Sequence, residues 1–345
     1  MKSKFLIISL MTILFCTSCS FNSNKDKKEL NVLNWSSYIP NDVINDFEKE
    51  TGIKVNYSTY SSNEECLAKV SNAKEGTYDL IFPSDYMIEI MINRDLIEKI
   101  DKTKLANINN LNSNYLSLEY DLNNEYSLPF IAASTLISVN KDMIKEEITS
   151  YNDLLNPKYK NEIVLIDDQR IIIGMALLAN GYDMNSTDES ELVKAKEWLE
   201  KLKPNIKAYD SDSPKNFLIS KEASIAVLWN AEGALASQEN ENIVNIFPTE
   251  GFALSVDNFA IPKGAKHQEE LYQFIDYILR PDVMKRIIES YPYKNVNKST
   301  DLILNDSYKG IGASNIPDET MQNGYFVKNI GSSIKKYDAI WAEIK

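Results

Sequence analysis

Short apolar runs alternate with segments of helical spacing from Glu29 onward, and this alternation constrains the fold most strongly. Strands are predicted over residues 30–35, 53–57 and 78–82, with amphipathic helices between them. The order strand, helix, strand, helix requires parallel pairing with right-handed crossovers. The first part of the chain is therefore predicted to form an α/β unit.

A second series of strands and helices begins near residue 136, and its helix over 192–202 is expected to start with a capping box at Ser186. The 345 residues are too many for one ordinary core and suit two lobes. Short extended stretches at 131–134 and 256–260 are predicted to cross between the lobes. A ligand cleft is expected where the two lobes meet.

The predicted division assigns the chain to two lobes, each built from two pieces. Lobe 1 comprises residues 29–133 plus 258–300, and lobe 2 comprises residues 134–257 plus 301–345. Each lobe is then completed by a segment that returns from the other one.

Residues 1–18 have the pattern of an export signal. Residues 1–18 combine a basic start with a short apolar run, which is typical of a signal peptide rather than a spanning helix. Small residues precede Cys19, as in a bacterial lipoprotein, so Cys19 is predicted to carry the lipid; ordinary secretory cleavage is the alternative. The polar residues 19–28 are expected to form a tether. The protein is therefore expected outside the cytoplasm, attached to a membrane.

Net charge excludes one class of partner. The formal charge of −13 repels nucleic acid and attracts cations, although such charge also serves solubility.

Enzyme signatures are absent from the sequence. His267 is the single histidine and is predicted to lie in solvent at a helix start. One histidine supports neither a histidine-based zinc centre nor a Ser-His-Asp triad, and no phosphate-binding loop or dinucleotide fingerprint occurs. No catalytic residue, metal ligand or cofactor is therefore predicted.

Aromatic and acidic side chains follow the predicted strands. The five positions are the segments 35–38, 83–86, 167–168 and 229–232, and Asp257. Each one alone is more often structural, since a serine or aspartate there can cap a helix. Ligands bind at strand ends in α/β proteins, and an aromatic face beside carboxylates suits an organic cation.

These segments resemble the polyamine-binding proteins of bacterial ABC importers, which take up spermidine or putrescine. The resemblance covers residues 30–345 and rests on 34–38 (NWSSY), 48–55 (EKETGIKV), 78–84 (YDLIFPS), 166–168 (IDD), 227–230 (VLWN), 257–262 (DNFAIP) and 279–282 (LRPD). It implies a two-lobed periplasmic-binding-protein fold (type II) with two crossing segments. It also implies a monomer that delivers its ligand to a membrane permease with an associated ATPase.

The resemblance further implies which residues contact the ligand. The aromatic box comprises Trp35, Tyr38, Tyr86, Trp229 and Tyr293. Polar contacts come from Ser36, Ser84 and Ser211. The carboxylates at the ligand amines are Asp168, Asp257 and Glu232.

Four positions depart from the family pattern. Ser37 and Ile171 stand where acids are usual, Ser255 replaces an aromatic residue, and Val327 replaces a glutamine. Two further interpretations therefore stay open. The same fold could bind another cationic or neutral solute, or the chain could be a surface interaction lipoprotein without a transport role.

Overall fold

A computed structural model of the protein describes residues 28–345. The predicted signal peptide, Cys19 and the tether up to residue 27 lie outside the described residues. Over the described range, no helix combines the length and apolar character needed to cross a membrane.

The described residues form an α/β structure. The strands are β1 (Glu29–Trp35), β2 (Lys54–Tyr60), β3 (Leu80–Ile81), β4 (Ile97–Glu98), β5 (Ser127–Asn140), β6 (Ile163–Leu165), β7 (Ile206–Tyr209), β8 (Ile225–Trp229), β9 (Ile243–Ile246), β10 (Phe252–Pro262), β11 (Lys294–Asn295) and β12 (Gly324–Phe326). The helices are α1 (Asn41–Thr51), α2 (Asn63–Asn72), α3 (Asp85–Asn93), α4 (Gln169–Ala179), α5 (Glu189–Leu202), α6 (Lys215–Ile219), α7 (Asn230–Glu239), α8 (Gln268–Ile278), α9 (Pro281–Ser290), α10 (Lys298–Asp301), α11 (Asp306–Lys309), α12 (Asp318–Met321) and α13 (Ile334–Ile344).

The sheet runs in the order β2-β1-β3-β10-β5-β8-β6-β7. Pairing is parallel within β2-β1-β3 and within β8-β6-β7, as the strand–helix alternation predicts. The two parallel groups are joined by β10 and β5, which pair antiparallel with each other. This arrangement gives the two α/β lobes that the sequence predicts.

The long strands β5 and β10 connect the lobes. Their register runs from Leu254 opposite Ser134 to Ala260 opposite Ser127, and it shifts between Asp257 and Asn258. The predicted crossing stretches at 131–134 and 256–260 lie within these longer strands. Both strands are buried along their whole length, because they lie in the interior of the molecule.

Helix ends follow local chemistry. Helix α1 begins after Pro40 and ends at Gly52, whose φ of 72° is the left-handed conformation that favours glycine. The capping box expected at Ser186 is wrong. Helix α5 is capped by Asp188, which accepts hydrogen bonds from the backbone N–H groups of Ser190 and Glu191, because the charged carboxylate is the stronger acceptor.

Aromatic side chains fill the core of the first lobe. Phe47 of α1 meets Phe274 of α8 edge to face, with ring centroids 4.9 Å apart. Phe82, Phe130 and Phe259 form a second group behind the strand ends, with centroid distances of 5.1–5.2 Å. Such pairs add about 0.5–1.5 kcal/mol each beyond area burial, so the strand ends rest on a rigid layer.

Asp79 joins β1 to the start of α8. Its carboxylate is fully buried and accepts hydrogen bonds from the backbone N–H groups of Asn31, Lys266 and His267. His267 Nδ1 lies 2.8 Å from the same carboxylate, so the prediction that this histidine lies free in solvent is wrong. Burial raises the pKa of Asp79, but the hydrogen bonds outweigh it and hold the pKa below its ordinary value.

We expect Asp79→Ala to lower the free energy of unfolding by about 3 kcal/mol, because several buried donors lose a charged acceptor. Urea denaturation measures the change. Glu197→Ala is the control, because Glu197 is exposed and forms a surface ion pair with Lys194. The control should cost much less than Asp79→Ala, because solvent screens an exposed pair. Equal losses in both variants would contradict the assigned role of Asp79.

Candidate functional site

The strand ends of both lobes meet around one cavity. All eleven side chains predicted to contact a ligand line it: Trp35, Ser36, Tyr38, Ser84, Tyr86, Asp168, Ser211, Trp229, Glu232, Asp257 and Tyr293. The space open to the centres of water molecules is about 50 Å³. One enclosed water needs roughly 10–15 Å³ on that measure, so the cavity suits a slender molecule rather than a bulky one.

Asp257 lies on β10 with both carboxylate oxygens held by hydroxyl groups. Ser84 Oγ donates to Oδ1 and the Tyr38 hydroxyl donates to Oδ2, each at 2.6 Å. Asn63 fixes Ser84 in turn, donating to its Oγ at 3.0 Å. Burial raises the pKa of Asp257 to about 6, although the two hydroxyl donors oppose that rise. The group is therefore mostly ionised at pH 7.

Among the residues that the structure describes, no cation lies beside Asp257. Asp257 is only 2% exposed, and no lysine, arginine or histidine of residues 28–345 forms an ion pair with it. A carboxylate offers about four lone-pair sites, and only two are used here. A buried carboxylate of this kind is stabilised when a cation enters the cavity.

A second carboxyl group lies behind Asp257. Asp85, at the start of α3, accepts from the backbone N–H groups of Tyr86 and Val256. Burial, together with the nearby charge of Asp257, raises the pKa of Asp85 to about 8. Asp85 is therefore mostly neutral at pH 7, which leaves Asp257 as the charged member of the pair.

Aromatic rings wall the cavity around Asp257. The rings of Tyr38 and Tyr293 have centroids 4.9 Å apart, and the Trp35 ring stacks 6.1 Å from that of Tyr38. Trp35 is fixed by its Nε1, which donates to the carbonyl of Phe82 at 2.9 Å. The electron-rich faces of such rings attract cations.

Asp168 caps helix α4 from the second lobe. Its Oδ1 accepts from the backbone N–H groups of Arg170 and Ile171, at 2.8 and 3.1 Å. Removal from water raises its pKa, and the backbone donors and Arg170 oppose that rise. Asp168 interacts with Glu64 of the first lobe, whose pKa rises to about 7 through burial and this like charge. Glu64 accepts from the Tyr86 hydroxyl at 3.2 Å.

Arg170 brings a cation into the cavity wall. It is 1% exposed, and its guanidinium carbon lies 5.6 Å from the ring centroid of Tyr86 and 5.1 Å from that of Tyr337. Its terminal nitrogens donate to the Lys328 carbonyl and to Asn185. One face of the Tyr86 ring is therefore taken by a cation of the protein itself.

Glu232 follows Trp229 by three residues in the first turn of α7. Both of its oxygens accept from Lys215 Nζ at 2.9 Å. Burial raises the pKa of Glu232, whereas Lys215 opposes that rise. Among the three predicted carboxylates, Glu232 is the one that already has an ammonium partner.

The two remaining serines lie where the lobes meet. Ser36 Oγ of the first lobe donates to Asp212 of the second at 2.8 Å. Ser211 Oγ accepts from the backbone N–H of Asp167 at 3.0 Å, which fixes the loop after β7 beside the loop after β6. The two lobes are thus in direct contact across the cavity.

The four positions that depart from the family pattern also line the cavity. Ile171, Ser255 and Val327 are buried there, whereas Ser37 is exposed in a left-handed turn with a φ of 54°. An apolar or small side chain thus stands at each place where a charge, a ring or an amide is usual.

Sequence reasoning missed several side chains at or beside the cavity, notably Asn63, Glu64, Arg170, Asp212 and Lys215. The signals for Arg170 and Asp212 were their positions within one or two residues of predicted contacts. Asn63, Glu64 and Lys215 act through tertiary contacts that carry no local signal. Over the described residues, no group of three or more histidine, cysteine, aspartate or glutamate side chains could hold a metal ion.

Comparison with known proteins finds relatives that agree with one another in the kind of protein they are. A family model described as bacterial extracellular solute-binding protein matches residues 42–310. The spermidine/putrescine-binding periplasmic protein of Escherichia coli K12 is 37% identical over 321 residues, covering 93% of this chain and 92% of the relative.

Solved structures agree with the sequence relatives. A putative spermidine/putrescine ABC transporter structure from Listeria monocytogenes has a TM-score of 0.89 at 32% identity, covering 92% of this chain and 98% of its own. The Tp0655 (TpPotD) lipoprotein of Treponema pallidum has a TM-score of 0.83 at 26% identity, covering 92% and 99%. With the family model matching most of the chain, the protein belongs to the bacterial extracellular solute-binding protein family.

Proposed function

We propose that this protein is an extracytoplasmic receptor that binds a polyamine, spermidine or putrescine, and delivers it to the permease of an ABC importer. One observation carries the proposal: the buried, ionised Asp257 has aromatic walls and no cation of the described chain beside it. The names of the similar proteins, which refer to spermidine and putrescine, support the same ligand class.

The proposed contacts divide by chemistry. The aromatic faces of Trp35, Tyr38, Trp229 and Tyr293 would hold the alkyl chain and its ammonium groups, with Tyr86 using the face that Arg170 leaves open. Asp257, Asp168 and Glu232 would accept from the amines, and Ser36, Ser84 and Ser211 would complete the polar contacts. No group of the protein would undergo a chemical change, so we propose binding without catalysis.

The available groups can account for useful affinity. Polyamine nitrogens resemble lysine, with a reference pKa of about 10.4, and are charged at neutral pH. Three charge-assisted hydrogen bonds at about 1.5–3 kcal/mol and three cation–π contacts at about 0.5–2 kcal/mol give roughly 6–15 kcal/mol before ordering costs. Micromolar binding needs about 8 kcal/mol net, so we expect affinity near micromolar.

The proposed setting is outside the cytoplasm. Lipidation of Cys19 would attach the receptor to a membrane, and the residues up to 28 would let it reach its permease and ATPase as a monomer. The similar protein Tp0655 of Treponema pallidum is a lipoprotein, which supports this anchor. Metabolic labelling with a fatty acid, compared between the wild type and Cys19→Ala, tests it.

A second solute class has one observation in its favour. Arg170 lines the cavity, and its buried Nε has no hydrogen-bond partner among residues 28–345. A ligand with a carboxylate as well as an amine, such as a basic or ω-amino acid, would use that cation. Titration with such amino acids alongside the polyamines separates the two classes, and tighter binding of an amino acid would replace the polyamine proposal.

We expect isothermal titration calorimetry to detect putrescine or spermidine binding, and Asp257→Ala and Trp229→Ala each to weaken it at least tenfold, or about 1.4 kcal/mol. Asp121→Asn is the control, because Asp121 is a buried hydrogen-bonding carboxylate of the first lobe outside the cavity. It should lower stability while affinity stays unchanged. Unchanged affinity in both cavity variants would remove the site assignment.

Binding should weaken at acid pH. With a pKa of about 6, Asp257 is about one-tenth ionised at pH 5, whereas the ligand amines stay charged. Affinity should therefore fall about tenfold between pH 7 and pH 5, and further if Glu64, with its pKa of about 7, also contributes. Asp257→Asn should flatten the profile below pH 6. A variant profile as steep as that of the wild type would exclude Asp257 as the titrating group.

Adding back a carboxylate should strengthen binding. Ser37 lies exposed on the cavity rim in a left-handed turn, a conformation that aspartate and asparagine tolerate. We expect Ser37→Asp to raise spermidine affinity about threefold to tenfold, since the new charge needs little desolvation. Ser37→Asn keeps the shape without the charge and should leave affinity near that of the wild type. An equal gain in affinity in both variants would show that the shape of the new side chain, rather than its charge, strengthens binding.

A further inference from the structure

The ion pair between Lys215 and Glu232 lies at the edge of the cavity. Lys215 is the first residue of α6, and Glu232 is in the first turn of α7. The side chains are 21% and 9% exposed, and the ammonium nitrogen is 2.9 Å from both carboxylate oxygens. This pair is therefore well shielded from water and stronger than an exposed surface pair.

Glu232 lines the ligand space, whereas Lys215 contacts Glu232 from outside the lining. Glu232 lines the cavity with Trp229 and Tyr293, and Lys215 does not belong to the lining. The charge of Glu232 also reaches the Tyr293 hydroxyl, whose pKa is raised chiefly by burial and then by this carboxylate. The carboxylate thus lies within reach of a bound molecule while a lysine of the protein holds both its oxygens.

The Lys215 side chain presents the same chemistry as the proposed ligand. A primary ammonium on an alkyl chain is what either end of a polyamine offers to a carboxylate. An amine arriving at Glu232 must therefore share or displace a partner that is already tethered nearby. Asp257 imposes no such competition, because its partners are the hydroxyl groups of Ser84 and Tyr38.

We propose that Lys215 is a specificity-determining residue, whose ammonium competes with a ligand amine for Glu232 and lowers affinity for molecules that carry a second amine. The inference rests on the proposed polyamine function and deepens it. Its consequence is that Glu232, although it can accept from a ligand amine, adds less net attraction in the wild-type protein than Asp257 does.

The competing interpretation is that the pair only fastens α6 to α7. On that interpretation, removing Lys215 loosens the second lobe, and the buried Glu232 charge loses its partner without any benefit to binding. The two interpretations predict opposite changes in affinity, so binding measurements separate them even if stability falls in both cases.

The experiment titrates putrescine and spermidine into the full-length protein by calorimetry at pH 7.5. Lys215→Met removes the ammonium and keeps the length of the side chain. We expect it to tighten putrescine binding at least about fivefold, because Glu232 becomes free to accept from the ligand. Lys215→Arg keeps a cation at the pair and should retain wild-type affinity.

Two further variants isolate the local effect. Lys221→Met is the matched control, because Lys221 forms an ion pair with Asp142 in the same lobe and outside the cavity. It makes the same change in net charge and should alter affinity less than about twofold. Adding Glu232→Gln to Lys215→Met should abolish the gain, because the freed carboxylate is then missing.

The outcomes are distinguishable. A gain in Lys215→Met that is absent from Lys221→Met and lost in the double variant supports the proposal. Unchanged or weaker binding by Lys215→Met, or a gain that persists in the double variant, overturns it while the polyamine function stands. Failure of every variant and of the wild type to bind either amine overturns the polyamine function, and this inference with it.

Discussion

The carboxylate of Asp257 is the group on which the arrangement of the site depends. It lies on a buried strand that crosses between the lobes, and folding must remove it from water at a cost. Hydroxyl groups from two other segments of the first lobe, at Tyr38 and Ser84, offset part of that cost. The described residues thus hold in place a buried charge that an incoming cation would further stabilise.

Asp257 lies on β10, one of the two strands that connect the lobes, so a ligand bound at Asp257 would lie where the lobes meet. The register of β10 against β5 shifts at Asp257 and Asn258, so the strand is irregular where it carries the charge. Asp168 and Trp229 approach from the second lobe, and Ser36 already bonds across the gap to Asp212. A ligand that contacts Tyr38 of the first lobe together with Asp168 of the second would touch both lobes at once, and would thereby stabilise the contact between them.

Local periodicity predicted much of the fold, whereas the cavity lining was predicted from the strand-end positions together with the family resemblance. Strands ending at Trp35 and Trp229 were visible as apolar runs, and parallel topology then placed the residues after them at common edges. The contact of His267 with Asp79 could not be predicted from local periodicity, since the partners are 188 residues apart. Lys215 and Glu64 escaped prediction for the same reason: their partners come from tertiary packing.

Because cations of the protein lie near the cavity, the number of acids alone is a poor guide to the affinity expected. Four carboxylates line the space, at Asp168, Asp212, Glu232 and Asp257. Lys215 nevertheless neutralises Glu232, and the guanidinium of Arg170 covers one face of Tyr86. A polyamine gains most where a negative charge lacks a partner, because exchanging one ammonium for another yields little free energy. Asp257 meets that condition, so we expect the selectivity of the proposed site to depend on which acids the protein leaves unpaired rather than on how many it carries.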